Sequence, residues 1–369
     1  MKKHIIHLIA ILLSLLPVQW AMGLDKSNAV MQNKRTLSML AIGNSYTLDA
    51  LAYLPDVLES CYPDVSIKLG ICTGPSYSLY TQMMLLQGGK SITNFHKYED
   101  GEWVTESYKP YPDILDEQWD IISLQQVSVY CCNFNTIEPY LGQVVQTLRT
   151  QYHQSGKIAW LLPQGYSDGT PYTPTLDRLK GDSPDYMIYD TEGNRITTSD
   201  DMWTAQKDVA KMTQKLYWTD GEGVTSRCID FVLTPGTALQ DLRQATSLAE
   251  EGEGKGLFFS DLHVQQGGGA LVQAWYMAMA LFGVVQAQVI DTPNWPTGTG
   301  RGTVIAMDDV SQQLAYTAAV QALVNPFLLC TTDTGGGDGN ATIRGDLNDD
   351  GVVDVHDVNS IINILLGEE

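Results

Sequence analysis

The sequence predicts an α/β domain built on a parallel sheet, and three observations carry that prediction. Short apolar, β-rich runs recur along residues 36–330, stretches with apolar residues at helical spacing separate them, and turn residues bound each run. The expected core strands are Leu37-Ile42, Ser66-Ile71, Ile121-Leu124, Ile158-Leu162 and Ile229-Leu233, because brief runs this apolar suit strands covered on both faces. The expected helices are Leu51-Tyr62, Ile137-Tyr152, Met202-Leu216 and Ala270-Phe282. Tyr172 to Ser199 is polar and rich in Pro, Asp and Thr, and reads as a long loop near the functional site.

The chain has 369 residues, 44% hydrophobic and 18% charged, enough apolar material for a large core and too much for a disordered chain. Residues 1–23 have the pattern of a signal peptide. Lys2 and Lys3 lead, Ile5 to Leu16 is apolar, and Ala21-Met22-Gly23 ends on small residues. The apolar run is short for a membrane span, and no later stretch is long and apolar enough for stable membrane insertion. Export to the periplasm or the extracellular space is the expectation. Residues 24–330 then form the main domain, 331–344 a Gly-rich linker and 345–369 a small C-terminal module.

The net charge is −21, and losing Lys2 and Lys3 makes it −23. With no basic patch to offset it, this field disfavours nucleic acid, anionic membranes and highly anionic polymers, and suits a neutral substrate. Six cysteines remain after export: Cys61, Cys72, Cys131, Cys132, Cys228 and Cys330. Their spacing is not that of a zinc site. In an oxidising compartment they read as buried thiols plus one or two structural bridges of unassigned pairing.

Two segments carry chemistry. Leu37 to Ile42 runs into Gly43-Asn44-Ser45-Tyr46-Thr47, followed by a helical stretch from Leu48. A serine at the carboxyl end of the first strand sits where α/β sheets place ligands, at a helix N-terminus that favours developing negative charge. Gly43 would let the chain turn sharply and keep the space before Ser45 open. A Ser or Asn at this position is also an ordinary helix cap. Serine chemistry needs a base, most often an oriented histidine. Of the histidines left after export, His96 lies in polar Asn94-Phe95-His96-Lys97 and is expected at the surface, His153 on a solvated face, and His356 in the C-terminal module. His263 differs: Phe258-Phe259-Ser260-Asp261-Leu262-His263 precedes Gly267-Gly268-Gly269 and the apolar helix.

The block Ile42-Gly43-Asn44-Ser45-Tyr46-Thr47 resembles the first block of the SGNH (GDSL-like) hydrolases, in a G-N-S variant, and the His263 loop is similar to their last block. The resemblance implies a three-layer α/β/α, flavodoxin-like fold. It implies Ser45 as nucleophile, with its backbone N–H in the oxyanion hole, and His263 as base. It also implies a carboxylate orienter in the His263 loop. The family spaces these D-x-x-H, whereas Asp261 and His263 are two apart and Ser260 holds the usual place, so Asp261 or a backbone carbonyl is the expected orienter. Cys72-Thr73-Gly74-Pro75-Ser76 matches the second block, making the Gly74 N–H a second donor. The third block, G-x-N-D, is absent. Trp119-Asp120-Ile121-Ile122-Ser123-Leu124-Gln125-Gln126-Val127-Ser128 stands in its place and resembles an SGNH branch with L-Q-Q-x-S, so Gln126, in preference to Gln125, is the expected amide donor. Thr234-Pro235-Gly236-Thr237-Ala238-Leu239-Gln240 also resembles that branch, and is expected to support the His263 loop or line the pocket.

In the C-terminal module, Asp346-Leu347-Asn348-Asp349-Asp350-Gly351-Val352-Val353-Asp354-Val355-His356-Asp357 places oxygen ligands at positions 1, 3, 5 and 12 around a glycine at 6, the pattern a hard cation needs. With Val358, Ile361, Ile362 and Leu365 on one helical face, it resembles a type I dockerin repeat. The side chains of Asp346, Asn348, Asp350 and Asp357 and the Val352 carbonyl are the implied calcium ligands. Cohesin-binding dockerins carry two repeats and this chain has one, so a protein partner or a calcium-stabilised tail both remain open.

The functional expectation is an exported serine esterase that removes acyl groups, acetyl first, from a glycan or small ester, with no cofactor for catalysis. A glycan-binding or surface protein that keeps the fold without turnover is the alternative, and an acyl transferase a third reading.

Overall fold

Side-chain alternation along one strand divides the core in two. In β1 (Thr36–Ile42), Leu37, Met39 and Ala41 join one apolar cluster while Leu40 and Ile42 join another, as a strand buried on both faces requires. The computed structural model describes residues 30–31, 34–166, 188–196, 198–245, 257, 263–264, 267–285, 288–290 and 309–329. The expected signal segment, the linker, Cys330 and the C-terminal module with Asp346, Asn348, Asp350, Val352 and Asp357 lie outside the described residues, as does Asp261.

The other strands are β2 (Ser66–Thr73), β3 (Asn94–Glu99), β4 (Glu102–Ser107), β5 (Ile121–Leu124), β6 (Lys157–Leu161), β7 (Tyr217–Thr219), β8 (Thr225–Arg227) and β9 (Phe231–Leu233). Seven form one sheet in the order β4-β3-β2-β1-β5-β6-β9, and β7 and β8 pair separately. Pairings among β2, β1, β5, β6 and β9 are all parallel. Numbered along the chain, these parallel strands run 2-1-3-4-5, and the order reverses between β1 and β5. The crevice outside the carboxyl ends at such a reversal is where open α/β sheets bind ligands.

Helices cover both faces: α1 (Ser45–Leu51), α2 (Leu54–Cys61), α3 (Leu79–Gln87), α4 (Tyr111–Leu115), α5 (Glu138–Thr150), α6 (Ser199–Thr213), α7 (Pro235–Ala245), α8 (Gly268–Phe282) and α9 (Asp309–Val324). Residues of α1, α2, α7, α8 and α9 share a cluster with one face of β1, and residues of α3, α4, α5 and α6 share one with the other. Nearly every side chain of α8 is buried, so this helix has no polar face and is enclosed by α1, α2, α7 and α9. Each fully buried Leu or Met there contributes about 1.5–3 kcal/mol.

The chain is thus a mixed α/β protein with a mostly parallel central sheet, and the core strands fall where the apolar runs predict. Three differences have local causes. The expected helix Leu51-Tyr62 is divided, because Pro55 lies in the first turn of α2 and starts a new helix there. The β3–β4 hairpin adds two antiparallel strands at one edge. The five described cysteines are all buried free thiols, Cys131 and Cys132 with their sulfurs 4.0 Å apart, so the expected bridges are not found among the described residues.

Candidate active site

Ser45 opens α1 directly after β1, and its turn is fixed from three sides. The Gly43 N–H extends the ladder to the Cys72 carbonyl at 3.1 Å. The Asn44 side chain caps α1 by accepting from the Tyr46 N–H at 3.1 Å, and donates to the Tyr77 carbonyl at 3.4 Å, joining this turn to the loop after β2. Gln82 donates to the Gly43 carbonyl at 2.6 Å. A side chain at position 43 would overlap Thr47 Oγ1 and come within 3.1 Å of Gln125 Oε1, so only glycine fits this close approach.

His263, from the segment preceding α8, meets this turn although 218 residues separate it from Ser45. Its Nε2 lies 3.4 Å from Ser45 Oγ and its Nδ1 lies 2.7 Å from Asp49 Oδ2. Asp49 is four residues after Ser45, so one turn of α1 carries hydroxyl and carboxylate on the same face. The orienting position expected for Asp261 is therefore filled by Asp49, which is 1% exposed. Asp49 Oδ2 also accepts from Gln164 Nε2 at 3.1 Å. The Tyr46 ring meets the imidazole edge-on with centroids 5.3 Å apart, and the Tyr166 ring stands against Tyr46 in turn. With Cys131, Cys132, Ile188, Ile196 and Met202, these tyrosines form a third apolar cluster. Ile188 and Ile196 come from the polar stretch expected as a loop near the site, and its described part does pack there.

An imidazole held by a buried carboxylate on one nitrogen and facing a hydroxyl with the other is arranged to take the hydroxyl proton. The 3.4 Å separation is long for a hydrogen bond, and catalytic contacts of this kind tighten once substrate is bound.

The expected oxyanion donors fare differently. The β1–β2 register pairs Ile42 with Cys72, which sets Gly74 beside the Ser45 turn, and a side chain on Gly74 would overlap the Tyr77 ring. Gln126 does not match its expected role. Its Nε2 donates to the Thr136 carbonyl at 2.9 Å and its Oε1 accepts from the N–H groups of Leu79 and Val127 at 2.8 Å each. The amide is consumed in clamping the loop after β5 to the start of α3. Gln125 accepts from the Thr47 hydroxyl, and its buried Nε2 has no hydrogen-bond partner among the described residues.

His96 is buried rather than at the surface. It lies between the hydroxyls of Thr73 at 3.2 Å and Thr105 at 2.9 Å, and burial lowers its pKa to about 4. His153 is exposed, as expected. The segment Thr234–Gln240 braces the outer wall: Thr237 accepts from Trp203 Nε1 and Gln240 donates to Asp200, while Arg243 in the same helix donates to the Tyr166 carbonyl. Asp49 and Gln164 are the site residues that sequence reasoning missed. The available signal for Asp49 was a carboxylate inside an apolar helix one turn after the candidate nucleophile; Gln164 carried none.

Among the described residues, no group of three or more His, Cys, Asp or Glu is arranged to hold a metal ion, and no helix is long and apolar enough to cross a membrane. A crystal structure of a DUF4886 family protein from Bacteroides uniformis resembles this chain with a TM-score of 0.59 and 20% identity, covering 80% of this chain and 97% of that one. That likeness concerns the fold. No family model and no curated protein matches the sequence.

Proposed function

We propose that the chain is an exported serine esterase of the SGNH kind, which removes acyl groups such as acetyl from neutral glycans. The observation that carries this reading is the continuous contact from Ser45 Oγ through His263 to Asp49 at the carboxyl end of β1. In the proposed reaction His263 Nε2 takes the Ser45 proton as Oγ attacks the ester carbonyl carbon. The tetrahedral oxyanion is met by the N–H groups of Ser45 and Gly74, with Gln125 Nε2, which has no hydrogen-bond partner among the described residues, as the side-chain donor in place of Gln126. His263 then gives its proton to the departing sugar oxygen, leaving an acyl-Ser45, and returns as base for the water that releases the acid. Asp49 keeps the imidazole in the tautomer that presents Nε2 as acceptor and stabilises the imidazolium that forms.

The glycan assignment rests on the net charge of −21, which disfavours anionic substrates, together with the signal-like N-terminus and the dockerin-like C-terminus. The test is turnover of p-nitrophenyl acetate and of an acetylated neutral oligosaccharide by the wild type and by Ser45→Ala. Turnover that vanishes in the variant supports the esterase, and equal turnover in both contradicts it. Commitment of the Gln126 amide to Thr136 favours the second reading, a glycan-binding protein without catalysis, which requires retention of the oligosaccharide with no acid released.

A further inference from the structure

Two buried glutamines lie behind the Asp49–His263 pair, and neither belongs to a motif that pointed to the site. Gln164, in the segment after β6, is fully buried and donates from Nε2 to Asp49 Oδ2 at 3.1 Å, the same oxygen that His263 Nδ1 approaches at 2.7 Å. Gln206, in α6, donates from its own Nε2 to the Gln164 backbone carbonyl at 3.4 Å and to Cys131 Sγ at 3.0 Å. A buried amide costs free energy unless its groups are paired, and Gln164 Oε1 has no partner among the described residues. A side chain chosen for packing alone would be apolar here.

We propose that Gln164 is a positioning residue for the Asp49–His263 pair: its amide fixes the carboxylate rotamer and stabilises the pair in its net-negative state, while Gln206 anchors the Gln164 backbone. The proposal rests on the esterase reading for its effect on turnover, but the protonation of His263 follows from the hydrogen bond alone. When His263 is neutral the pair carries one negative charge, and the Gln164 N–H offsets it. When His263 is protonated the pair is neutral and needs that donor less. Removing the donor therefore favours proton uptake and raises the apparent pKa of the pair. Among the described residues, titratable or charged groups near the pair include Tyr46 of α1 against the imidazole, Tyr166 beyond it, Cys131 on Gln206, and Arg243 of α7 on the Tyr166 carbonyl, and the substitution at 164 replaces none of them.

The experiment uses the full chain with Gln164→Leu and Gln164→Met, two apolar side chains of similar size that remove the donor. The His263 imidazole is titrated by NMR, its signal assigned by loss in His263→Gln, and esterase kinetics are recorded against pH. The expected result is an apparent His263 pKa raised by about one unit in both variants. Where turnover is present, kcat should fall about 10- to 100-fold with KM unchanged, and the acid limb should move upward with the NMR value. Should one variant fail to fold, the other gives the same reading. An unchanged His263 pKa in a folded variant overturns the proposal whether or not the protein is an esterase. Absence of turnover in the wild type, by contrast, overturns the esterase reading and leaves the NMR result to decide on Gln164.

Discussion

Ser45 and Asp49 occupy successive turns of a single helix, and His263 closes the space between them, 3.4 Å from the hydroxyl and 2.7 Å from the carboxylate. Under the proposed mechanism, nucleophile and orienter share one rigid element, and the base alone comes from a segment distant in sequence. Constellations built on helices hold geometry more tightly than those built on loops.

Asp49→Asn is expected to lower kcat about 10⁴-fold with KM little changed, because an amide no longer fixes the productive tautomer or stabilises the imidazolium. Asp261→Asn should leave kcat within about 3-fold, an interval well under 1 kcal/mol. Steady-state kinetics on an activated acetate ester compare the two, and the opposite ranking would restore the orienting role to Asp261.

Gln126→Leu is expected to act on stability. It leaves the N–H groups of Leu79 and Val127 and the Thr136 carbonyl without their partner, which costs about 2–4 kcal/mol in denaturant unfolding. A variant of wild-type stability whose kcat falls by 10²–10³ would return Gln126 to the oxyanion hole.

His96 links stability to pH. Its folded pKa is about 4, below the value near 6.5 of an unfolded histidine. Between these values the unfolded chain binds the extra proton. The contribution of His96 is therefore fully present above about pH 6.5 and is lost as pH falls toward 4, by up to about 3 kcal/mol. Urea midpoints from pH 7 to pH 4.5 should fall less steeply for His96→Gln, and parallel curves would contradict the burial of a neutral imidazole.

Residues 346–357 are expected to hold one calcium ion per chain, measured by equilibrium dialysis, with binding lost in Asp346→Ala combined with Asp357→Ala. Equal binding by that variant would remove the loop as the site.

Much of the sheet was legible because its central strands are covered on both faces, and apolar runs such as Ile121–Leu124 have no other use. The β3–β4 hairpin was not, since Lys97, Glu99, Glu102 and Glu106 break the apolar pattern on edge strands half open to solvent. Its signal was the Asp100-Gly101 turn, where φ values of 54° and 85° match the left-handed pair that a two-residue hairpin needs. Ser45 and His263 stood out in sequence by their places before helices, and the structure brings them within 3.4 Å. Asp49 was hidden because its carboxylate reaches His263 from the turn of α1 that follows Ser45, not from the histidine's own segment. Gln126 misled because a strand-end amide looks the same in sequence whether it faces a ligand or clamps a loop. His96 misled because Lys97 and Glu99, the charged residues beside it, alternate onto the opposite face of β3, while the histidine shares its face with buried Tyr98.

The central claim, that Ser45 is a nucleophile activated by His263, is tested most directly by covalent labelling. The wild-type chain is treated with a fluorophosphonate and digested, and the modified peptide is identified by mass spectrometry. One adduct on the Ser45 hydroxyl is the expected result, lost in His263→Ala while that variant remains folded. No adduct, or an adduct on another serine that persists in His263→Ala, would contradict the claim.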